Sequence, residues 1–147
     1  MIKKIPEETW YFHFHNANPK NNKTGDCVIR AISTASNTLD WTETLTALFN
    51  IAVKYKLSLS DKKCYTRLID DLGGVKYKQP RKWDNTKYTG EEFCELLNNA
   101  GYGNKPVIAH IGGHHIVCIK PHEGHYKIWD TWDSSDGCIG NYWVMKN

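Results

Sequence analysis

The sequence predicts one α+β domain, with its helices first and its sheet last. Three observations carry that reading. Between residues 26 and 101, apolar residues recur at i, i+3, i+4, i+7 in four separate stretches. After residue 107 the chain turns to short β-branched and aromatic runs divided by Gly-rich or polar turns. A length of 147 residues, 40% apolar and 24% charged, is that of a single domain able to bury a core without a disulfide framework. A helical first half followed by a β meander implies helices packed on one face of an antiparallel sheet, with residues 1–147 forming one unit.

The elements follow in order. Thr9 to His15 alternates in polarity at its far end and reads as a short strand, and Asn16 to Gly25, rich in Asn, Lys, Pro and Gly, reads as a loop. The first helix opens near Asp26 and carries Val28, Ala31, Ile32 and Ala35. The second carries Leu45, Leu48, Phe49 and Ala52, preceded by Asp40 with Glu43 three residues on, the pattern of a capping box. The third, with Tyr65, Leu68, Ile69 and Leu72, runs from near Ser60 to Gly73-Gly74. The fourth, with Phe93, Leu96, Leu97 and Ala100, is capped by Thr89 with Glu92 and closed by Gly101. Between the last two, Val75 to Tyr88 is Lys-rich, contains Gln79-Pro80 and reads as a strand-and-loop excursion. Val107–Ile111, His115–Lys120, Tyr126–Asp130 and Tyr142–Val144 are the expected strands of the final sheet.

Composition narrows the function classes. No apolar run exceeds four residues, so no membrane-spanning helix is expected, and the basic start lacks the hydrophobic stretch of an export signal. Five cysteines without a paired spacing then imply reduced thiols and a cytoplasmic setting. A net charge of +3 is too small and too dispersed to argue for nucleic acid, and the lysines from Lys54 to Lys82 read as a solvated surface. Six tryptophans suggest a dense core or a ligand-lining surface.

Two segments carry chemistry. In Thr24-Gly25-Asp26-Cys27-Val28-Ile29-Arg30, a cysteine stands in the first turn of an amphipathic helix. Free backbone N–H groups and the helix dipole favour a thiolate there, although most cysteines serve as small buried hydrophobes, as Cys64, Cys94 and Cys118 are expected to. In Gly112-Gly113-His114-His115-Ile116-Val117, a Gly-Gly turn delivers a histidine to the first position of a strand. If Pro121 to Gly124 form a four-residue turn, His115 lies opposite Asp130 on the same face, with Cβ atoms about 4.5–5.5 Å apart. A carboxylate there fixes the ring tautomer and frees the other nitrogen to face a thiol. Asp133, followed by Ser134-Ser135-Asp136-Gly137, instead reads as a turn residue capping its own backbone. Cys27, His115 and Asp130 thus supply nucleophile, base and orienter for acyl transfer.

The order Cys…His…Asp and its local motifs resemble those of the papain-like cysteine peptidase superfamily. Asn18-Pro19-Lys20, Thr24 to Ile32 and Asp130-Thr131-Trp132-Asp133 also resemble small papain-like proteins encoded by bacteriophages and prophages. The resemblance implies a papain-like fold with a central helix headed by Cys27, and a thiol hydrolase or acyltransferase acting on peptide, isopeptide or other amide bonds. It implies that Trp132 shields the His115–Asp130 bond, and that Asp130→Asn is a mild change. In place of the family's oxyanion glutamine, Asn21 stands six residues before Cys27 and can donate the same hydrogen bond on a shorter arm. No cofactor is implied, and the partner is a polypeptide or other amide substrate in a bacterial or phage-infected cell.

Two other readings stand beside this one. The same scaffold could serve as a catalytically silent binding module, for example a phage protein that blocks a host protein. Alternatively His110, His114, His115, His122, His125 and Cys138, with the pair His13 and His15, could gather a metal, though no set has a zinc spacing and no metal is expected. Oligomeric state stays open.

Overall fold

The computed structural model describes residues 6–20 and 26–146. Among these residues, four helices and a six-stranded mixed sheet make an α+β fold. In chain order these are β1 (Phe12–Phe14), α1 (Cys27–Ala35), α2 (Trp41–Tyr55), α3 (Lys62–Asp71), β2 (Val75–Tyr77), α4 (Gly90–Ala100), β3 (Val107–Ile111), β4 (His115–His122), β5 (His125–Asp130) and β6 (Ile139–Val144). No helix among the described residues is long and apolar enough to cross a membrane.

The helices stand where the apolar spacing predicts them, and local chemistry sets their ends. Capping boxes open both α2, where Glu43 N donates to Asp40 Oδ1 at 2.8 Å, and α4, where Glu92 N donates to Thr89 Oγ1 at 3.2 Å. Asp61 caps α3. Gly101 follows α4 as its extended C-cap, and a Cβ there would stand 2.1 Å from the Leu97 carbonyl oxygen, so the position requires glycine.

The strand order is β1-β5-β4-β3-β6-β2. Two expectations need correction. The sheet is not wholly antiparallel, because β1 pairs parallel with β5 through Phe12↔Ile128 and Phe14↔Asp130. The helical half of the chain lies between the two strands and supplies the long connection that a parallel pair requires. Nor do the helices share one face. Val107, Ala109, Val117, Ile119, Tyr142 and Val144 are buried with Phe93 and Leu97 of α4, whereas Ile108, Ile116, Cys118 and Trp143 are buried with α1, α2 and α3. Successive strand residues point to opposite faces, so a central strand apolar at every position needs cover on both.

The β4–β5 turn also differs from the expected four residues. It is Glu123-Gly124 alone, with φ of 54° and 86°, and β4 continues to pair through His122↔His125. In the ladder set by a two-residue turn, Pro121↔Tyr126 is a non-hydrogen-bonded pair. Pro121 therefore loses no ladder bond, and the outward N–H of Tyr126 donates to Asn98 Oδ1 at 2.6 Å. With Cys118 level with Trp129, Asp130 stands level with Val117 and diagonal to His115. A two-residue shift leaves face parity intact, so the carboxylate still meets the ring along the diagonal.

Candidate active site

Cys27 is the first residue of α1, and its half-buried thiol faces a cleft of about 540 Å³. The cleft is lined mainly by apolar side chains of α1 and α2, with Leu59, Tyr65 and Ile116. The imidazole of His115, at the start of β4, is near enough to the thiol for each to shift the other's pKa, and its Nε2–H donates to Asp130 Oδ2 at 2.5 Å. The structure therefore brings Cys27, His115 and Asp130 together, and because Nε2 is taken by Asp130, Nδ1 is the ring nitrogen left for the thiol.

Electrostatics favours the charged forms of the first two groups. Burial would push the His115 ring down, but the hydrogen bonds to Asp130 and Cys27 and their charges outweigh it and raise its pKa to about 9. Burial likewise opposes the Cys27 thiolate. The His115 bond and charge, the Ile116 backbone N–H and the Arg30 charge together hold the thiol below its ordinary value. Elsewhere burial dominates: Cys94 and Cys118 are each pushed up to about 12, and Cys64 is raised.

Trp132, expected over the His115–Asp130 bond, has its ring centroid 4.8 Å from that of His115, tilted by 35°, and keeps about half its surface in solvent at 48%. Asp133 Oδ1 accepts the Ser135 N–H at 2.9 Å, a local cap within its own turn. His114 belongs to the turn and lines the cleft wall. Asn21, the expected oxyanion donor, lies outside the described residues.

Residues that the sequence did not single out complete the site. Arg30, one turn into α1 and only 12% exposed, donates from Nε to Asp26 Oδ1 at 2.9 Å and from Nη1 to Asp130 Oδ1 at 2.5 Å. Asp26 is 5% exposed and also accepts from Trp41 Nε1 at 2.9 Å and Asn18 Nδ2 at 3.1 Å. Burial raises the Asp26 pKa, but the bonds from Trp41, Arg30 and Asn18 prevail and lower it. A carboxylate beside a thiol would disfavour the thiolate; here Arg30 offsets it and ties the helix that bears Cys27 to Asp130. The Asp26–Arg30 spacing of i, i+4 at a helix start is the one sequence signal for this network.

Among the described residues, one group of three metal-type side chains is close enough to share an ion: Glu8, His13 and His122. Its geometry does not suit coordination. The two imidazoles are stacked with centroids 3.8 Å apart and planes 21° from parallel, so their in-plane lone pairs do not converge on one ion. Lys127 Nζ also already donates to Glu8 Oε1 at 3.1 Å.

Comparison with protein-family models, with curated proteins and with solved structures gives no match. What the site can do is therefore read from its own chemistry: a thiol biased to thiolate, an imidazole that can take and return a proton, and a buried carboxylate that orients it.

Proposed function

We propose that this protein is a papain-like thiol hydrolase or acyltransferase of peptide, isopeptide or other amide bonds. The observation that carries the reading is the juxtaposition of Cys27 with the hydrogen-bonded pair His115–Asp130, with the thiol at a helix N-terminus and open to a cleft. The Cys27 thiolate attacks the substrate carbonyl carbon, and the carbonyl π electrons move to oxygen. As the oxyanion collapses, the C–N bond breaks and the His115 imidazolium gives its proton to the leaving nitrogen. A thioester remains on Cys27. Water or an amine then attacks it while His115 takes the incoming proton, and the thiolate leaves. Asn21 is the proposed oxyanion donor, and Trp132 covers one side of the imidazole.

The test is the alkylation rate of each cysteine against pH, read by mass spectrometry. Cys27 is expected to react fastest at neutral pH, its rate rising through an apparent pKa below the ordinary thiol value of about 8.5. His115→Ala should move that inflection up, and His114→Ala should leave it in place, because His114 belongs to the turn before β4 and only His115 bears on the thiol. If Cys27 reacts no faster than Cys64 or Cys94, the thiol reading fails and the binding-module reading takes its place.

A further inference from the structure

A second cleft, of about 710 Å³, adjoins the first through the shared walls Tyr65, His110 and His114. Its character is different. Lys62, at the start of α3, and Lys87, on the loop after β2, both line it, no Asp or Glu does, and neither lysine forms an ion pair among the described residues. Its framework is built. Gln79 N donates to Asn141 Oδ1 at 2.9 Å and Gln79 Nε2 to the Ile139 carbonyl at 2.8 Å, fastening the Lys87 loop to β6. Gly112 and Gly113 form its floor at φ of 64° and 88°, and a Cβ at either would meet open space, so an extended chain can approach the backbone closely. A net charge of only +3 over the whole chain makes the local excess notable. Lys62 and Lys87, both exposed, put two positive charges at the rim of one concavity, where the potential is focused more than on a flat surface.

We propose that this cleft is the subsite for a carboxylate-bearing segment of the substrate, so that the amide offered to Cys27 lies in a polypeptide with acidic residues to one side of it. The inference rests on the thiol chemistry proposed above and adds the substrate class. A peptide is favoured over a nucleic acid because the adjoining cleft at Cys27 is lined by Val28, Ile29, Leu45 and Leu48, which offer a ribose-phosphate chain no partners.

The experiment has a binding arm and a reactivity arm. In the first, fluorescently labelled peptides differing only in a Glu, Gln or Lys pair are bound to the Cys27→Ser variant and followed by anisotropy. The Glu peptide should bind about five- to tenfold more tightly than the Gln peptide at low salt, as expected for two partly screened ion pairs. The advantage should fade as salt rises, and Lys62→Glu/Lys87→Glu should reverse it in favour of the Lys peptide. In the second arm, the same peptides carrying a chloroacetamide at either end label wild-type Cys27, with iodoacetamide as the uncharged reference. Iodoacetamide labelling of Cys27 together with equal affinity for the three peptides would overturn the substrate class and leave the thiol chemistry standing. Slow iodoacetamide labelling of Cys27 would instead overturn the chemistry, whatever the peptides do. Displacement by an oligothymidylate with no preference for the Glu peptide would assign the cleft to nucleic acid and overturn the proposal.

Discussion

Asp130→Asn is expected to abolish thiol chemistry almost as completely as Asp130→Ala, by about four orders of magnitude in turnover. The family resemblance implies the opposite, a mild change, and the difference lies in how the carboxylate is used. Oδ2 accepts from His115, while Oδ1 accepts from Arg30 Nη1 and from the Thr131 backbone N–H at 2.7 Å. An Asn has one acceptor oxygen, which two fixed donors, one of them charged, hold on the Arg30 side. Its NH2 group then faces Nε2, which must become an acceptor. The imidazole proton moves to Nδ1, the nitrogen that faces the thiol, and the base is lost. Imidazole NMR of the Asn variant should show the changed tautomer, and Cys27 alkylation should shift towards an ordinary thiol profile. Asp133→Ala, which removes only a local cap, should cost about 1 kcal/mol of stability and little reactivity. Turnover of the Asn variant within tenfold of wild type would show that Arg30 does not fix the orientation of this side chain.

Arg30→Met is expected to destabilise the fold strongly. It leaves Asp26 at 5% and Asp130 at 3% exposure without their shared cation, a loss of about 3–5 kcal/mol when one partner of a buried ionic group is removed. In a domain this size that corresponds to a fall in Tm of roughly 10 °C. The dependence on pH identifies the cause. Asp26 has its folded-state pKa depressed, so its contribution is present above the unfolded value of about 3.9 and is lost as pH falls through the folded value. In the variant Asp26 can protonate more readily, so the gap to wild type should be widest near neutrality and close on acidification. Arg30→Lys should lie between, since one ammonium cannot span both carboxylates as the guanidinium does. Denaturant midpoints measured across pH provide the check, and a gap that does not change with pH would point to lost packing instead.

How much of this was legible in the sequence depends on whether the information was local. Apolar spacing and capping residues located all four helices and the four final strands, because burial on one face and satisfaction of helix ends are set within a few residues. The same spacing cannot say what a face is buried against. That is why α4 on the opposite side of the sheet, and β1 running parallel to β5, appear only in three dimensions. The His115–Asp130 contact could be anticipated because a two-residue error in the turn does not change parity. Arg30 could not: within its helix it is an ordinary polar residue, and its second partner stands 100 residues away.

That sequence separation bears on how the protein is made. Cys27 emerges from a ribosome long before His115 and Asp130, and α1 finds its cover in β3, β4 and β5. Until β4 and β5 are synthesised and paired, the thiol has neither its imidazole nor the Arg30–Asp130 clamp, and its reactivity is that of an unassisted cysteine. β1 must also wait, since among the described residues its only strand partner is β5. Non-local pairings of this kind form late. Cys27 is thus translated early and meets its imidazole and the buried carboxylate only when the last third of the chain folds onto it.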